Sequence, residues 1–342
     1  MNVFLVLSPF QVINAVEAKR FFGATDNVLI VFRHTSSGYP ISMFREVIAE
    51  ADWTQVHYLS TYGEERVGRV NKYVWAYLSW LQQRRLDKLA KALGKAETLF
   101  TGSYLEPLVR HFCNSLPHKT LCILDSGTDT LMVNKARQRV LGATAPSLSR
   151  MDLLSKLLGV RDRQAERATF FTLFDIAVRP SDTLIPNRYT FFREQTSQVP
   201  SGSEVWFLGG PLVIDSYVSE AVYMDYIQRV RSFYEGRNFI YLPHSREQDA
   251  DVEKIAMMLG CEVRRNALPV ELEIARARPR PSEIASFITT ALTSSHAMFG
   301  STLQVTAVYM DPAHFPKYHD FVSDIYKQFR AEADDHFRVV EL

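Results

Sequence analysis

Short apolar runs that alternate with stretches of helical periodicity constrain the fold of this chain more than any other feature. In the first part of the sequence the apolar runs lie at 3–7, 27–32, 56–59, 97–100 and 120–124. The helical stretches between them lie at 11–22, 41–51 and 64–93. Strands that are apolar along their whole length are buried on both faces, as in a parallel sheet built from β-α-β units. The sequence therefore predicts an α/β fold with a parallel sheet between two layers of helices.

The same alternation begins again after residue 203. Strands are predicted at 204–208, 238–242, 262–263 and 296–299, and helices at 218–234, 248–259, 283–291 and 318–333. The segment VPSGS at 199–203 has the composition of a linker. We therefore predict two Rossmann-like domains, residues 1–200 and 201–342, whose parallel sheets face each other across a cleft. The last helix could cross back onto the first domain.

Composition excludes several classes of protein. The 342 residues include 39 Lys and Arg against 38 Asp and Glu, so the net charge is +1 and bulk electrostatic binding of nucleic acid is not expected. The three cysteines form no C-x-x-C pair, which indicates a reducing compartment and no structural zinc. No apolar run reaches the roughly 18 residues that cross a bilayer, and the N-terminus lacks the basic region of a signal peptide. We expect a cytoplasmic protein.

Residues 132–167 differ from the rest of the chain in their charge. Eight Lys and Arg lie here against three acids, with four leucines at 153, 154, 157 and 158. One interpretation is a solvated helical excursion. The other is a basic amphipathic surface that docks on anionic lipid or a polyanionic acceptor, which would place the chain peripherally at the inner membrane.

Polar side chains follow the first predicted strand. Ser8, Pro9 and Gln11 lie at its carboxyl end, the edge at which open parallel sheets bind ligands. Ser8 and Gln11 would offer a hydroxyl and an amide to a polar ligand. The alternative is that Ser8 is the N-cap of the first helix, with Pro9 at the first helical position.

An acidic turn follows the apolar run 120–124. Asp125 is followed by Ser126 and Gly127, so a carboxylate lies at the end of a strand on a tight turn. Such a group suits a general base if its pKa is raised from about 3.9 toward the working pH. The alternative is an ordinary Asp-x-Gly turn.

A basic loop follows the predicted strand 238–242. Pro243 stiffens the exit from the strand, and His244 and Arg246 supply a proton donor and a fixed cation. That pairing suits a phosphate or a leaving nucleotide. The alternative is a capping loop with a surface Arg–Glu pair.

Two further candidate sites lie in the second half. Gly300, Ser301 and Thr302 follow the predicted strand 296–299, where backbone amides and hydroxyls would bind a small anion, or form only an N-cap. Glu271 could accept hydrogen bonds from ribose hydroxyls, or be a solvent-facing loop residue. No metal site is expected, because the D-x-D at 249–251 lies at a helix start and the histidines lack the spacing of zinc ligands.

The order of these motifs is more informative than any one of them. The segments SPFQVINAVEA, TGSYLE, LDSGTD, FLGGPL, YLPHSRE, LPVE and GSTLQ occur in one sequence, between about residues 3 and 310. Their order resembles the bacterial sialyltransferases that build lipooligosaccharide and capsular polysialic acid.

That resemblance implies a fold and a reaction. The fold would be GT-B, and the enzyme would transfer a sialic acid or related nonulosonic acid from a CMP-sugar to a hydroxyl of a surface glycan or glycolipid. The reaction would invert the anomeric carbon and need no metal or other cofactor. The implied roles are base for Asp125, phosphate contact for His244, Ser301 and Thr302, ribose contact for Glu271, and sugar or acceptor contact for Ser8, Gln11 and Asn14.

Two positions depart from the motifs of that family. Ser126 replaces a second acid, so Asp129 is an alternative base, and Ser245 replaces the proline expected after His244. Two other functions therefore remain open. One is a GT-B transferase that uses another nucleotide sugar, and the other is a non-catalytic relative that binds nucleotide or glycan in capsule assembly.

Overall fold

The chain folds into two α/β units, Met1–Arg188 and Tyr189–Leu342, in a computed structural model. It describes residues 1–34, 39–49, 51–61, 72–127, 129–139 and 159–342. Both units are Rossmann-like, with a parallel sheet and helices between its strands. The predicted fold class, α/β with two Rossmann-like parallel-sheet domains, is confirmed. The division between the units lies before the expected boundary near residue 200.

The first unit contains a seven-stranded parallel sheet in the order β3-β2-β1-β4-β5-β6-β7. Its strands are β1 (Asn2–Val6), β2 (Asn27–His34), β3 (Gln55–Thr61), β4 (Ala96–Thr101), β5 (His118–Leu124), β6 (Thr169–Thr172) and β7 (Thr183–Pro186). The chain winds to one side from β1 and to the other side from β4. The crevice between the carboxyl ends of β1 and β4 is therefore the switch point at which such sheets bind ligands.

The helices of the first unit are α1 (Pro9–Phe21), α2 (Ile41–Ile48), α3 (Lys72–Leu93), α4 (Pro107–Ser115) and α5 (Asp129–Arg139). The apolar pattern predicts the three helices α1 to α3, but it did not predict the two further helices, α4 and α5. The predicted N-cap of α1 is confirmed, because the Ser8 side chain accepts a hydrogen bond from the backbone N–H of Gln11 and Pro9 opens the helix. Residues 64–71 of the predicted long helix lie outside the described residues.

The second unit contains a six-stranded parallel sheet in the order β10-β9-β8-β11-β12-β13. Its strands are β8 (Glu204–Leu208), β9 (Asn238–Leu242), β10 (Glu262–Val263), β11 (Glu283–Ser286), β12 (Gln304–Val308) and β13 (Phe337–Val340). Here the winding reverses between β8 and β11. The switch point of this sheet thus lies between the loops that follow those two strands.

The helices of the second unit include the last helix of the chain. They are α6 (Thr190–Thr196), α7 (Glu220–Phe233), α8 (Asp249–Leu259), α9 (Val270–Arg276), α10 (Thr290–Phe299) and α11 (His319–Glu332). The buried Tyr326 hydroxyl of α11 accepts the Met310 N–H at 3.0 Å and donates to the Val308 carbonyl at 2.9 Å. These bonds pack α11 on the sheet of its own unit. The idea that this helix could cross back onto the first domain stays a prediction.

Secondary structure differs from the prediction between residues 283 and 299. The first four residues of the predicted helix 283–291 form strand β11, its last two begin helix α10, and the predicted strand 296–299 is the end of α10. Glu283 made β11 look unlike a buried strand. In the structure its carboxylate is buried and accepts hydrogen bonds from the hydroxyls of Tyr234 and Thr306, both at 2.6 Å, so tertiary contacts compensate for its charge.

The basic segment 132–167 is only partly described, because residues 140–158 lie outside the described residues. Within the described part, Arg137 is buried rather than on a surface, and it forms a bidentate salt bridge with Asp182 at 2.7 and 2.8 Å. Arg179 contacts the same carboxylate. None of the described helices is long and apolar enough to span a membrane.

Candidate functional site

Gln11 joins the loops that follow three neighbouring strands of the first sheet. Its Nε2 donates to the hydroxyls of Ser103 after β4, at 2.7 Å, and of Ser126 after β5, at 2.6 Å. Its Oε1 accepts the Leu7 N–H after β1 at 2.8 Å. A Cβ on Gly102 would lie 2.7 Å from the Gln11 Cδ, so this glycine makes room for the amide. Gln11 thereby positions two half-buried hydroxyls at the switch point.

Asn14 extends this network into the interior. Its Nδ2 lies 3.2 Å from the carbonyls of Phe10 and Asp125, and its Oδ1 accepts from Asn187 at 3.3 Å. Gln11 and Asn14 are both buried, so in the structure they hold the loops together. Contact of Ser8, Gln11 or Asn14 with a ligand stays a prediction.

Asp125 lies directly after β5 and is completely buried. Its carboxylate accepts the Leu173 N–H at 2.8 Å and the hydroxyls of Thr172 and Thr130. Burial raises its pKa to about 7, although these hydrogen bonds oppose the rise. The raised pKa suits a base, but the carboxylate oxygens face protein donors.

Asp129 offers a more accessible carboxylate at the same edge of the sheet. It begins α5, and the residue is exposed, although neighbouring protein atoms partly surround its carboxyl. Partial burial raises the pKa of Asp129, and the negative charge of Glu106 raises it further. Gly127, at φ +71°, makes the turn between β5 and α5, and its carbonyl accepts the Thr130 N–H at 3.1 Å. Substrate contact by Gly127 stays a prediction.

His244 follows β9 in the second unit and is half-buried behind the buried Pro243. Its Nδ1 accepts the Arg246 N–H at 3.2 Å, so in the neutral ring the proton is on Nε2. Burial lowers the pKa of His244, and the charge of Arg246 lowers it further. The imidazole is therefore a neutral hydrogen-bond donor near pH 7. Arg246 itself forms a bidentate pair with Asp215 at 2.6 and 2.8 Å, and its contact with a donor stays a prediction.

Glu247 fastens the His244 loop to the end of β9 and lies against Gly209 in the loop after β8. It accepts the His244 N–H and the Tyr241 hydroxyl, both at 2.6 Å. A Cβ on Gly209 would clash with the Glu247 carboxylate and the Tyr241 hydroxyl, so the glycine makes room for both groups. The Gly209 N–H donates to the Leu242 carbonyl at 2.8 Å. The loops that follow two neighbouring strands are therefore fixed relative to each other.

Thr289 and Thr290 lie across the switch point of the second sheet, between β11 and α10. Thr289 caps α10 and accepts the Ala291 N–H at 3.2 Å. One turn later, Ser294 donates to the Glu271 Oε1 at 2.6 Å. Glu271 is buried in α9, not a solvent-facing loop residue, and burial raises its pKa. Hydroxyls at a helix N-terminus suit an anion.

Sequence reasoning missed Thr289 and Thr290. The signal was present, because two threonines directly precede the apolar pair Ala291 and Leu292, as at an N-cap. Because residues 283–291 were assigned to one helix, the N-cap at Thr289 was not recognised.

Comparison with known proteins does not place this chain in a family. No family model matches the sequence, and no curated protein matches it. The resemblance to bacterial sialyltransferases therefore stays a prediction.

Several solved structures align with this chain over most of their length. A UDP-glucosyltransferase from Polygonum tinctorium covers 90% of this chain and 80% of its own, at 9% identity and a TM-score of 0.49. The E. coli heptosyltransferase WaaC aligns with 97% of this chain over 99% of its own length, at 12% sequence identity and a TM-score of 0.45. MurG of Acinetobacter baumannii aligns with 99% of this chain over 86% of its own length, at 9% sequence identity and a TM-score of 0.44. At these identities and TM-scores the similarity assigns no donor, acceptor or reaction to this chain.

The sequence predicted an anion site at Gly300, Ser301 and Thr302 directly after a strand, and that placement is wrong. These residues form a 3-10 turn after the C-terminal end of α10 and precede β12. They thus lie at the amino edge of the sheet, opposite the edge that holds His244. The error follows from the segment before them, which is a helix and not a strand.

The contacts of this turn are also internal. The Thr302 hydroxyl donates to the Phe299 carbonyl at 2.7 Å and accepts from Arg280. Gly300 has φ +51°, and a Cβ there would lie 2.1 Å from the Arg193 Nη2, so the glycine makes room for a guanidinium. Among the residues that the structure describes, no group of three or more His, Cys, Asp or Glu is placed to hold a metal ion.

Proposed function

We propose that the chain is a glycosyltransferase that moves a sugar from a nucleotide-activated donor to a hydroxyl acceptor. The observation that carries the proposal is the set of polar side chains at the carboxyl edge of each sheet. In the first unit, carboxylates lie at this edge with the hydroxyls of Ser103 and Ser126. In the second unit, the His244 imidazole after β9 and the hydroxyls at the start of α10 after β11 lie at the same edge.

The second unit is the proposed donor-binding unit. The N-terminus of α10 and the hydroxyls of Thr289 and Thr290 favour a phosphate. The neutral His244 adds an Nε2–H donor from the neighbouring side of the sheet. Glu271, held by Ser294 one turn into α10, is the proposed acceptor for ribose hydroxyls.

The first unit is the proposed source of the base. Asp129 is the first choice, because it is exposed and its pKa is raised, whereas Asp125 is enclosed by protein donors. Asp125 is the alternative, with its pKa of about 7. General-base assistance of this kind accelerates transfer by about 10²–10⁴-fold.

The proposed reaction balances as a single displacement that inverts the anomeric carbon. The carboxylate takes the proton of the acceptor hydroxyl, and the acceptor oxygen bonds to that carbon. The bond from the carbon to the phosphate oxygen breaks, and its electron pair leaves with the nucleotide. Donors fixed before the reaction meet this charge, a contribution of about 3–4 kcal/mol where one has been removed in other enzymes.

The donor is proposed at the level of a nucleotide sugar. A CMP-linked nonulosonic acid, transferred to a surface glycan without a metal, is the narrower form of the proposal and rests on the sequence resemblance alone. The resemblance assigned phosphate contact to Ser301 and Thr302. These residues lie at the amino edge of the sheet and not at the carboxyl edge, so one of the motif matches no longer supports this narrower form. UDP, which is bound in several of the similar structures, and the ADP-heptose analogue bound to WaaC represent the competing donors to be tested.

Nucleotide binding tests the proposal directly. We expect CMP, UDP, ADP or GDP to raise the Tm of the chain selectively, with or without EDTA. The increase should be lost in His244→Ala and reduced in Thr290→Val. The matched control is Ser301→Ala, which removes an exposed hydroxyl at the other edge and should leave the increase unchanged.

Each outcome has a clear meaning. No response to any of the four nucleotides would overturn the proposal. A response that Ser301→Ala abolishes and His244→Ala preserves would move the donor site to the amino edge. Binding without hydrolysis or transfer of the matching sugar nucleotide, over a panel of glycan acceptors, would favour the non-catalytic alternative.

A further inference from the structure

The outer surface of α3 carries two large aromatic side chains. Tyr77 and Trp80 are 58% and 38% exposed. Their rings stack with centroids 6.2 Å apart, and the Arg84 guanidinium lies 5.2 Å from the Trp80 ring. Burying such rings is favourable, and adjoining exposed aromatics are typical of a surface that another surface covers.

Cations continue the same stripe along the helix. After Trp80, Arg84, Lys88 and Lys91 follow at spacings of four, four and three residues, which places them on one face. All three cations are exposed. The face opposite them packs inward, as the burial of Leu86 shows. We use the name α3 face for Tyr77, Trp80, Arg84, Lys88 and Lys91.

The positive charge of the α3 face is not compensated within the described part of the chain. The helix has one acidic residue, Asp87, whose carboxylate lies 3.2 Å from the His111 Nε2 and 3.6 Å from Arg161. Arg84, Lys88 and Lys91 form no salt bridge with any described residue. The face therefore combines apolar rings with free cations.

We propose that the α3 face docks the chain on an anionic lipid bilayer. Trp and Tyr favour the boundary between head groups and acyl chains, and a helix lying in that plane covers its apolar side while its cations meet the head groups. Each Lys or Arg near an anionic leaflet strengthens binding about fivefold. A bilayer thus matches both properties of the face, and the proposal does not depend on the sugar donor.

Vesicle flotation of the full chain tests this proposal. Wild type should bind vesicles of phosphatidylcholine and phosphatidylglycerol and bind pure phosphatidylcholine much more weakly. The triple change Arg84→Glu, Lys88→Glu and Lys91→Glu should weaken binding by at least about a hundredfold, since it removes three attractions of about fivefold each. The matched control reverses three exposed cations of the second unit, Arg229→Glu, Lys317→Glu and Lys327→Glu, and should bind within about fivefold of wild type.

A second readout places the rings in the lipid and covers the case in which the triple variant misfolds. Brominated phosphatidylglycerol should quench tryptophan fluorescence in wild type, and Trp80→Phe should lose most of that quenching while still floating. Absence of wild-type flotation with anionic vesicles would overturn the proposal. So would equal weakening in the two triple variants, or retention on single-stranded DNA without flotation, which would favour a nucleic-acid surface.

Discussion

Asp125 should give the stability of this chain a pH dependence that Asp125→Asn removes. The carboxyl is completely buried, and its pKa is raised from 3.8 to about 7. Because the raised value belongs to the folded state, the folded chain binds more protons than the unfolded chain between these two values. The contribution of Asp125 to stability is therefore present at low pH and is lost as the pH rises through about 7.

The magnitude follows from the two pKa values. Between about pH 5 and about pH 8, this one group should lower the free energy of unfolding by about 2.5 kcal/mol. Urea denaturation followed by tryptophan fluorescence at both pH values measures that change. In Asp125→Asn the side-chain oxygen still accepts from Thr172, but the amide faces the Leu173 N–H, so the variant should be less stable throughout.

The decisive quantity is the difference between the two pH values, not the stability at either. Wild type should lose about 2.5 kcal/mol more than Asp125→Asn on going from about pH 5 to about pH 8. Asp129→Asn is the matched control, because that carboxyl is exposed and should contribute less. An equal loss in wild type and Asp125→Asn would show that Asp125 does not titrate in this range, and would refute the reasoning.

Three other changes test particular contacts. Asp129→Asn should lower the rate of transfer by at least about a hundredfold with nucleotide binding unchanged; wild-type turnover would make Asp125 the base. Gly209→Ala should lower stability by about 1–3 kcal/mol in urea denaturation, because its Cβ would meet Glu247, whereas Gly210→Ala, with its nearest contact at 3.5 Å, should have little effect. Arg137→Ala should cost up to about 3–5 kcal/mol, because the buried Asp182 carboxylate loses its bidentate partner and keeps only Arg179, and a loss near zero would contradict that.

Hydrophobic periodicity was sufficient to predict most of the two sheets. The predicted strands 204–208 and 238–242 coincide with β8 and β9, because a continuous apolar run is a local property of the sequence. The N-cap at Ser8 was equally local. The sequence analysis predicted no strand at β6, β7, β12 or β13, which are four or five residues long, and it assigned β11 to a helix.

The segment 283–299 shows why the rest of the candidate site could not be predicted. The run EIAS reads as helical because it begins with an acid, and it is a strand because Tyr234, Thr306 and Arg338 surround Glu283. Those partners come from distant parts of the chain. The error moved the expected anion site from Thr289 and Thr290 to Ser301 and Thr302.

The sequence by itself determined the α/β class, the presence of two Rossmann-like units and the polar residues after β1, β5 and β9. These depend on which residues are apolar and at what spacing, and chain neighbours settle that. Only the tertiary structure decided that Asp125 is enclosed while Asp129 is exposed, and that Gln11 joins three loops. Burial and hydrogen bonding depend on partners far apart in the chain, which become neighbours only when the sheet forms.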